Sequence, residues 1–125
     1  MQGFLPTLSR LARLLFWPAL LFALTMAVLP KPPQLPGPEL GDKVQHMLAF
    51  FTLTVLAGVG WPRLTLVRAV LWLSLVGAGI EVVQAVPALY RDSDWRDWVA
   101  DTVAIMAALV PVAVFRRMIE PNEQA

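Results

Sequence analysis

The side chains of this chain that can do chemistry come in three pairs. Asp42 and His46 stand four residues apart, Glu81 and Gln84 three apart, and Asp97 and Asp101 four apart. Each spacing puts both members on one face of a helix. Lys43 and Arg91 add positive charge close to the first and third pairs. An imidazole and carboxylates tuned by burial suit general acid or base work, which makes His46, Glu81 and Asp97 the catalytic candidates. A guanidinium grips a phosphate or carboxylate through two parallel hydrogen bonds, and an ammonium attracts it as a point charge. The expected ligand-binding set is Asp42, Lys43, His46, Glu81, Gln84, Arg91, Asp97 and Asp101.

Each group also has a purely structural reading. Asp42 and Lys43 fit a helix N-cap beside a solvated charge. His46 fits a hydrogen-bonded interior histidine, and Asp97 and Asp101 fit acids drawn to a helix N-terminus. Glu81, with Gln84, fits a polar staple between helices, although an ionisable group inside an apolar segment is a functional hypothesis by default. Asp92, Asp94 and Arg96 read as a wet loop. Carboxylates gathered in a partly dry site need neutralising by Lys43, His46 and Arg91, by a shared proton, or by a cation. Oxygen ligands with one imidazole suit a divalent ion chemically. The chain has a single histidine and no compact motif such as His-Glu-x-x-His, so neither a metal nor another cofactor is expected. The absence of cysteine excludes disulfides and thiolate chemistry.

The elements that must hold these residues are set by composition. Of 125 residues, 58% are hydrophobic and 15% charged, where soluble domains carry about a quarter charged residues. Lipid facing most of the surface explains the missing charge. A net charge of +1 leaves no dense basic patch, so no nucleic-acid partner is expected.

The expected fold is all-α, a four-span transmembrane helical bundle forming a single domain over residues 1–125. The spans are placed at residues 11–29, 44–60, 66–86 and 97–115. At 1.5 Å per residue a helix of about 20 residues crosses a hydrocarbon core of about 30 Å. A cleaved signal peptide competes for the first segment, but the further apolar spans favour a retained helix. Prolines at 30, 32, 33, 36 and 38 make residues 30–42 a stiff external connection. Trp61 and Pro62 close the second span as an interfacial anchor and a stop. Gly77 and Gly79, and the stripe Ala100, Ala104, Ala108, suit close helix contact. Pro18 and Pro111 are expected to bend their helices.

Four spans put both termini on one side. Arg10, Arg13, Arg63, Arg68, Arg116 and Arg117 fall there, against Lys31, Lys43, Arg91 and Arg96 opposite. That excess predicts cytoplasmic N- and C-termini in a bacterial-type plasma (inner) membrane. Successive spans are antiparallel, so the start of the second, the end of the third and the start of the fourth reach one outer layer together. All three polar pairs lie in it.

These residues also carry a family resemblance. Asp42-Lys43 with His46 before an aromatic-rich helix, then Glu81-x-x-Gln84, then Arg91 and Ser93 leading to Asp97 and Asp101-Thr102, is similar to the VanZ-like family of small membrane proteins. The resemblance runs from about Gly41 to Ala108. Where that family usually shows Asn-Thr-x-Gly, this chain has Asp101-Thr102-Val103-Ala104, one carboxylate more and one glycine fewer. The resemblance implies a cell-envelope setting and an association with glycopeptide, especially teicoplanin, resistance. It supplies no reaction.

Three functional classes follow. The first is an outer-facing polar site that binds an anionic lipid or another anionic envelope ligand. The second is a membrane enzyme acting on an envelope lipid or glycan by acid/base chemistry; it lacks a second histidine and a Gly-x-Ser-x-Gly elbow. The third is a structural subunit whose partner is another membrane protein. Ligand binding is favoured, with membrane lipid around the bundle in every case.

Overall fold

The computed structural model describes residues 3–29, 42–87 and 94–119. It contains α1 (Phe4–Val28), α2 (Asp42–Gly60), α3 (Leu66–Gln84) and α4 (Trp95–Ile119), with no strand among the described residues. The chain is all-α, and each helix is long and apolar enough to cross a membrane. That architecture fits a membrane protein. The proline-rich stretch and Arg91 lie outside the described residues.

Local sequence explains the ends. Thr65 caps α3 by accepting a hydrogen bond from the Arg68 N–H at 3.2 Å. Pro62 follows the end of α2, and Pro87 follows the last turn-like bonds after α3. Asp97 lies in the first turn of α4 and Arg116 and Arg117 in its last, the charge order favoured by the helix dipole. Helix α1 starts at Phe4, ahead of the apolar stretch, and runs on through Pro18, as α4 does through Pro111. Neither proline ends its helix.

The packing order around the bundle is α1, α2, α4, α3, with α2 making the broadest contact, on α4 and then on α1. At one end Ser9 of α1 donates to the Val59 carbonyl of α2 at 3.0 Å, and Arg116 of α4 reaches the Gly58 carbonyl. At the other, Gln84 of α3 reaches the Ala27 carbonyl of α1. Neighbours in sequence are therefore antiparallel, while α2 and α4 run parallel.

Small residues make the α2–α4 seam close. Ala57, Ala104 and Ala108 are buried, and a Cβ on Gly58 would collide with both Val112 methyl groups. Leu53, Phe50 and Ile105 fill the centre. The two glycines of α3 differ. Gly77 faces Phe50, Trp98 and Asp101, whereas a side chain on Gly79 would meet only open space. Residues two apart on a helix point about 200° apart, so only Gly77 serves close packing.

The outside of the bundle carries many large apolar side chains. Leu14, Leu21, Leu71 and Val110 are each at least 64% exposed. Large side chains spread over every helix in this way would be costly in water and are suited to lipid. An apolar groove between α3 and α4, lined by Leu66, Val70, Met106 and Leu109 among others, belongs to that surface, at the end remote from the polar pairs.

Candidate functional site

The polar centre forms where α2 and α4 begin and α3 ends. One turn into α2, His46 turns toward α4, its side chain only 11% exposed. Asp101, two turns into α4, is fully buried, and its Oδ2 stands 3.8 Å from His46 Nδ1. Glu81, three residues before the end of α3, is buried as well. One side-chain donor atom from each of the three lies within 4.8 Å of the others. His46 Nδ1, Glu81 Oε1 and both Asp101 carboxylate oxygens are sealed from solvent.

Backbone and neighbours orient this trio. The Asp94 N–H donates to Glu81 Oε2 at 3.1 Å, so the entry to α4 fixes the carboxylate at the end of α3. Gly77 lies one turn before Glu81, and its bare Cα leaves room beside Asp101: a Cβ there would sit 3.5 Å from Asp101 Oδ2. Phe50 and Trp98 close the apolar wall next to it. Trp98 is itself anchored by its indole N–H, which donates to the Ser74 carbonyl at 3.0 Å.

A looser outer tier sits at the rim. Lys43 Nζ lies 3.8 Å from Asp97 Oδ1, with the lysine side chain half exposed and the aspartate largely covered. Asp97 and Asp101 share a face of α4 but different depths, the first meeting Lys43 and the second His46. Asp94 accepts from the Arg96 N–H at 2.9 Å, a local turn bond. Arg96 also stacks toward Trp95, 6.0 Å from the ring centre.

Of the expected binding set, His46, Glu81 and Asp101 converge, and Lys43 and Asp97 join them as a rim pair. Gln84 is placed otherwise. It is buried, and its Nε2 donates to the Ala27 carbonyl at 3.0 Å, tying α3 to the end of α1. Asp42 opens α2, and Arg91 lies outside the described residues. Glu81, Asp101 and His46 are the group with chemical capacity: two carboxylates and an imidazole, able to share protons, accept donors or ligate a cation.

Spacing did not single out Ser74, Trp98 and Thr102. Ser74 Oγ and Thr102 Oγ1 lie 3.2 Å apart and clip α3 to α4 just beneath the trio. Thr102 appears in sequence only within the Asp101-Thr102 motif, and Ser74 and Trp98 only as polar-tipped residues on apolar helices. At the opposite end Arg116, counted from sequence only among the arginines on the side of the termini, donates to the carbonyls of Gly58, Trp61 and Leu64 at 2.7–3.3 Å. It caps the end of α2 and the following turn. Trp61 packs edge-on against Phe16 and Trp17, so it is a packing residue between α1 and α2 as well as an end marker.

Comparison with protein-family models, with curated proteins and with solved structures finds no match to this chain.

Proposed function

We propose that this chain is an integral membrane protein of the bacterial-type inner membrane that binds an anionic lipid headgroup or another anionic envelope ligand at the polar end of its bundle. The observation that supports this reading is the convergence of His46, Glu81 and Asp101 from three helices beneath a half-exposed Lys43. A bundle needing only mutual apolar packing has no use for two buried carboxylates, since burying each ion costs on the order of several kcal/mol. A ligand site gives them a purpose.

Orientation follows the arginine distribution. Arg10, Arg13, Arg63, Arg68, Arg116 and Arg117 belong to the end opposite the trio, and by the positive-inside rule this excess supports a cytoplasmic side for that end and both termini. The trio then faces outward. The resemblance to the VanZ-like family adds the envelope setting and a link to glycopeptide resistance, and it rests on the same ordered residues.

Native mass spectrometry of the gently solubilised protein tests the reading. Wild type is expected to retain an anionic lipid or envelope precursor that folded Lys43→Gln and Arg91→Ala variants lose. The lipid-facing Leu71→Ala variant should retain it. Retention that is the same in all four proteins, or absent from all, sinks the proposal.

A further inference from the structure

We infer that His46, Glu81 and Asp101 form a binding site for a divalent cation, of the Mn²⁺ or Zn²⁺ class. Three helices contribute one ligand each, which is why no compact sequence motif announces the site. The donor atoms lie within 4.8 Å of one another. Ligands bound cis to a common ion at about 2.1 Å stand roughly 3.0–3.5 Å apart, so closure needs only small side-chain rotations. The His46–Asp101 separation of 3.8 Å is already close to that value. It is too long for a direct hydrogen bond and suits two atoms that share a third between them.

Donor chemistry selects the class of ion. With only imidazole nitrogen and carboxylate oxygen as donors, the trio offers soft ions no preferred sulfur ligand. One imidazole nitrogen makes the site less suited to Mg²⁺ and Ca²⁺, which favour all-oxygen shells, and two carboxylates favour Mn²⁺ or Zn²⁺. Charge points the same way. Two carboxylates and a dication sum to zero, so the ion offsets the electrostatic cost of burying both acids. The Asp94 N–H on Glu81 Oε2 is the kind of outer contact that orients a metal ligand.

Three protein ligands leave coordination positions open. Resting on the proposed binding function, the cation would offer an open coordination position that takes a phosphate oxygen of the anionic ligand.

The test begins with protein purified without a histidine tag, stripped by chelator and titrated with Mn²⁺ and with Zn²⁺. Wild type should bind about one equivalent and melt at higher temperature when loaded, because the ion ties three helices together. His46→Gln and Asp101→Asn should each weaken binding at least tenfold, while Arg117→Gln at the far end should not. For bound Mn²⁺, pulsed electron paramagnetic resonance should show nitrogen coupling that His46→Gln abolishes. That signal and the wild-type titration do not depend on every variant folding. No stoichiometric binding by folded wild type, or binding without nitrogen coupling, overturns the site and leaves neutralisation to Arg91 or a shared proton.

A last arm separates the two ideas, using phosphatidylcholine vesicles with and without phosphatidylglycerol. Retention of phosphatidylglycerol that chelator removes supports the site and the binding function together. Metal binding with no lipid preference upholds the site and counts against the binding function. Chelator-resistant retention by metal-free protein upholds the binding function and overturns the cation's part in it.

Discussion

His46 Nδ1 and Asp101 Oδ2 stand 3.8 Å apart across the seam between two parallel helices, α2 and α4, with the aspartate wholly buried. Sequence spacing does not link these two residues to each other. Asp101 was grouped with Asp97 and His46 with Asp42, yet the tertiary partner of each lies on another helix. A double-mutant cycle reads this relationship directly. His46→Ala and Asp101→Ala should be non-additive in detergent thermal melts, with a coupling of about 0.5–3 kcal/mol, the range for residues sharing one network. Additive losses would show that the two act independently.

The α2–α4 seam depends on the bare face at Gly58. Gly58→Leu should lower the melting temperature, by the equivalent of roughly 1–3 kcal/mol typical of overpacking, because Val112 occupies the space. Trimming the obstacle in a Gly58→Leu, Val112→Ala double variant should recover part of the loss. Gly79→Ala, by contrast, should cost nothing in packing, since nothing lies within reach. Equal melting of Gly58→Leu and wild type would contradict the close approach.

Arg116 should matter far more to stability than Arg117. It donates to three backbone carbonyls at the end of α2 and in the turn that follows. Arg116→Met should cost about 2 kcal/mol, in the range for hydrogen bonds to a charged group. Arg116→Lys should recover little, because an ammonium lacks the planar fork that reaches several acceptors. The exposed neighbour, in Arg117→Met, should melt as wild type does. Circular dichroism melts of the three variants decide it.

Gln84 is expected to be a structural tie. Gln84→Leu removes the donor to the Ala27 carbonyl and should destabilise by about 1–3 kcal/mol, the cost of stranding a buried acceptor. Retention of metal or lipid by the variant that still folds should stay at the wild-type level. Loss of ligand with unchanged stability would return Gln84 to the binding set.

Lys43 and Asp97 provide the opposite case. With the lysine side chain 49% exposed and the pair 3.8 Å apart, Lys43→Gln should shift stability by less than about 1 kcal/mol, as exposed ion pairs do. Its effect should appear in retention of an anionic lipid. A large drop in melting temperature would mark the pair as structural.

How much of this was legible in advance depended on which physical signal carried each feature. Four apolar stretches with scarce charge define four membrane-length helices whatever their neighbours do, because an isolated chain segment in lipid must satisfy its own backbone hydrogen bonds. Antiparallel succession then puts Asp42, Glu81 and Asp97 near one end, so the polar layer could be found from order alone. Rotation of each helix about its axis could not. Packing set that rotation, through Gly58 against Val112 and through Ala104 and Ala108 in the seam. It turned Gln84 toward α1 and Glu81 toward Asp94 although the two share a helix face, and it left Gly79 facing open space while Gly77 entered the core.

The sequence by itself determined the helical class, the number of apolar spans and the end of the bundle at which the acids gather, since these follow from local hydropathy and chain direction. Only the tertiary structure decided that His46, Glu81 and Asp101 form one cluster, because that depends on side chains from three helices meeting at a common depth and azimuth. Periodicity within a helix fixes which residues share a face, and the close packing of the bundle fixes where that face points.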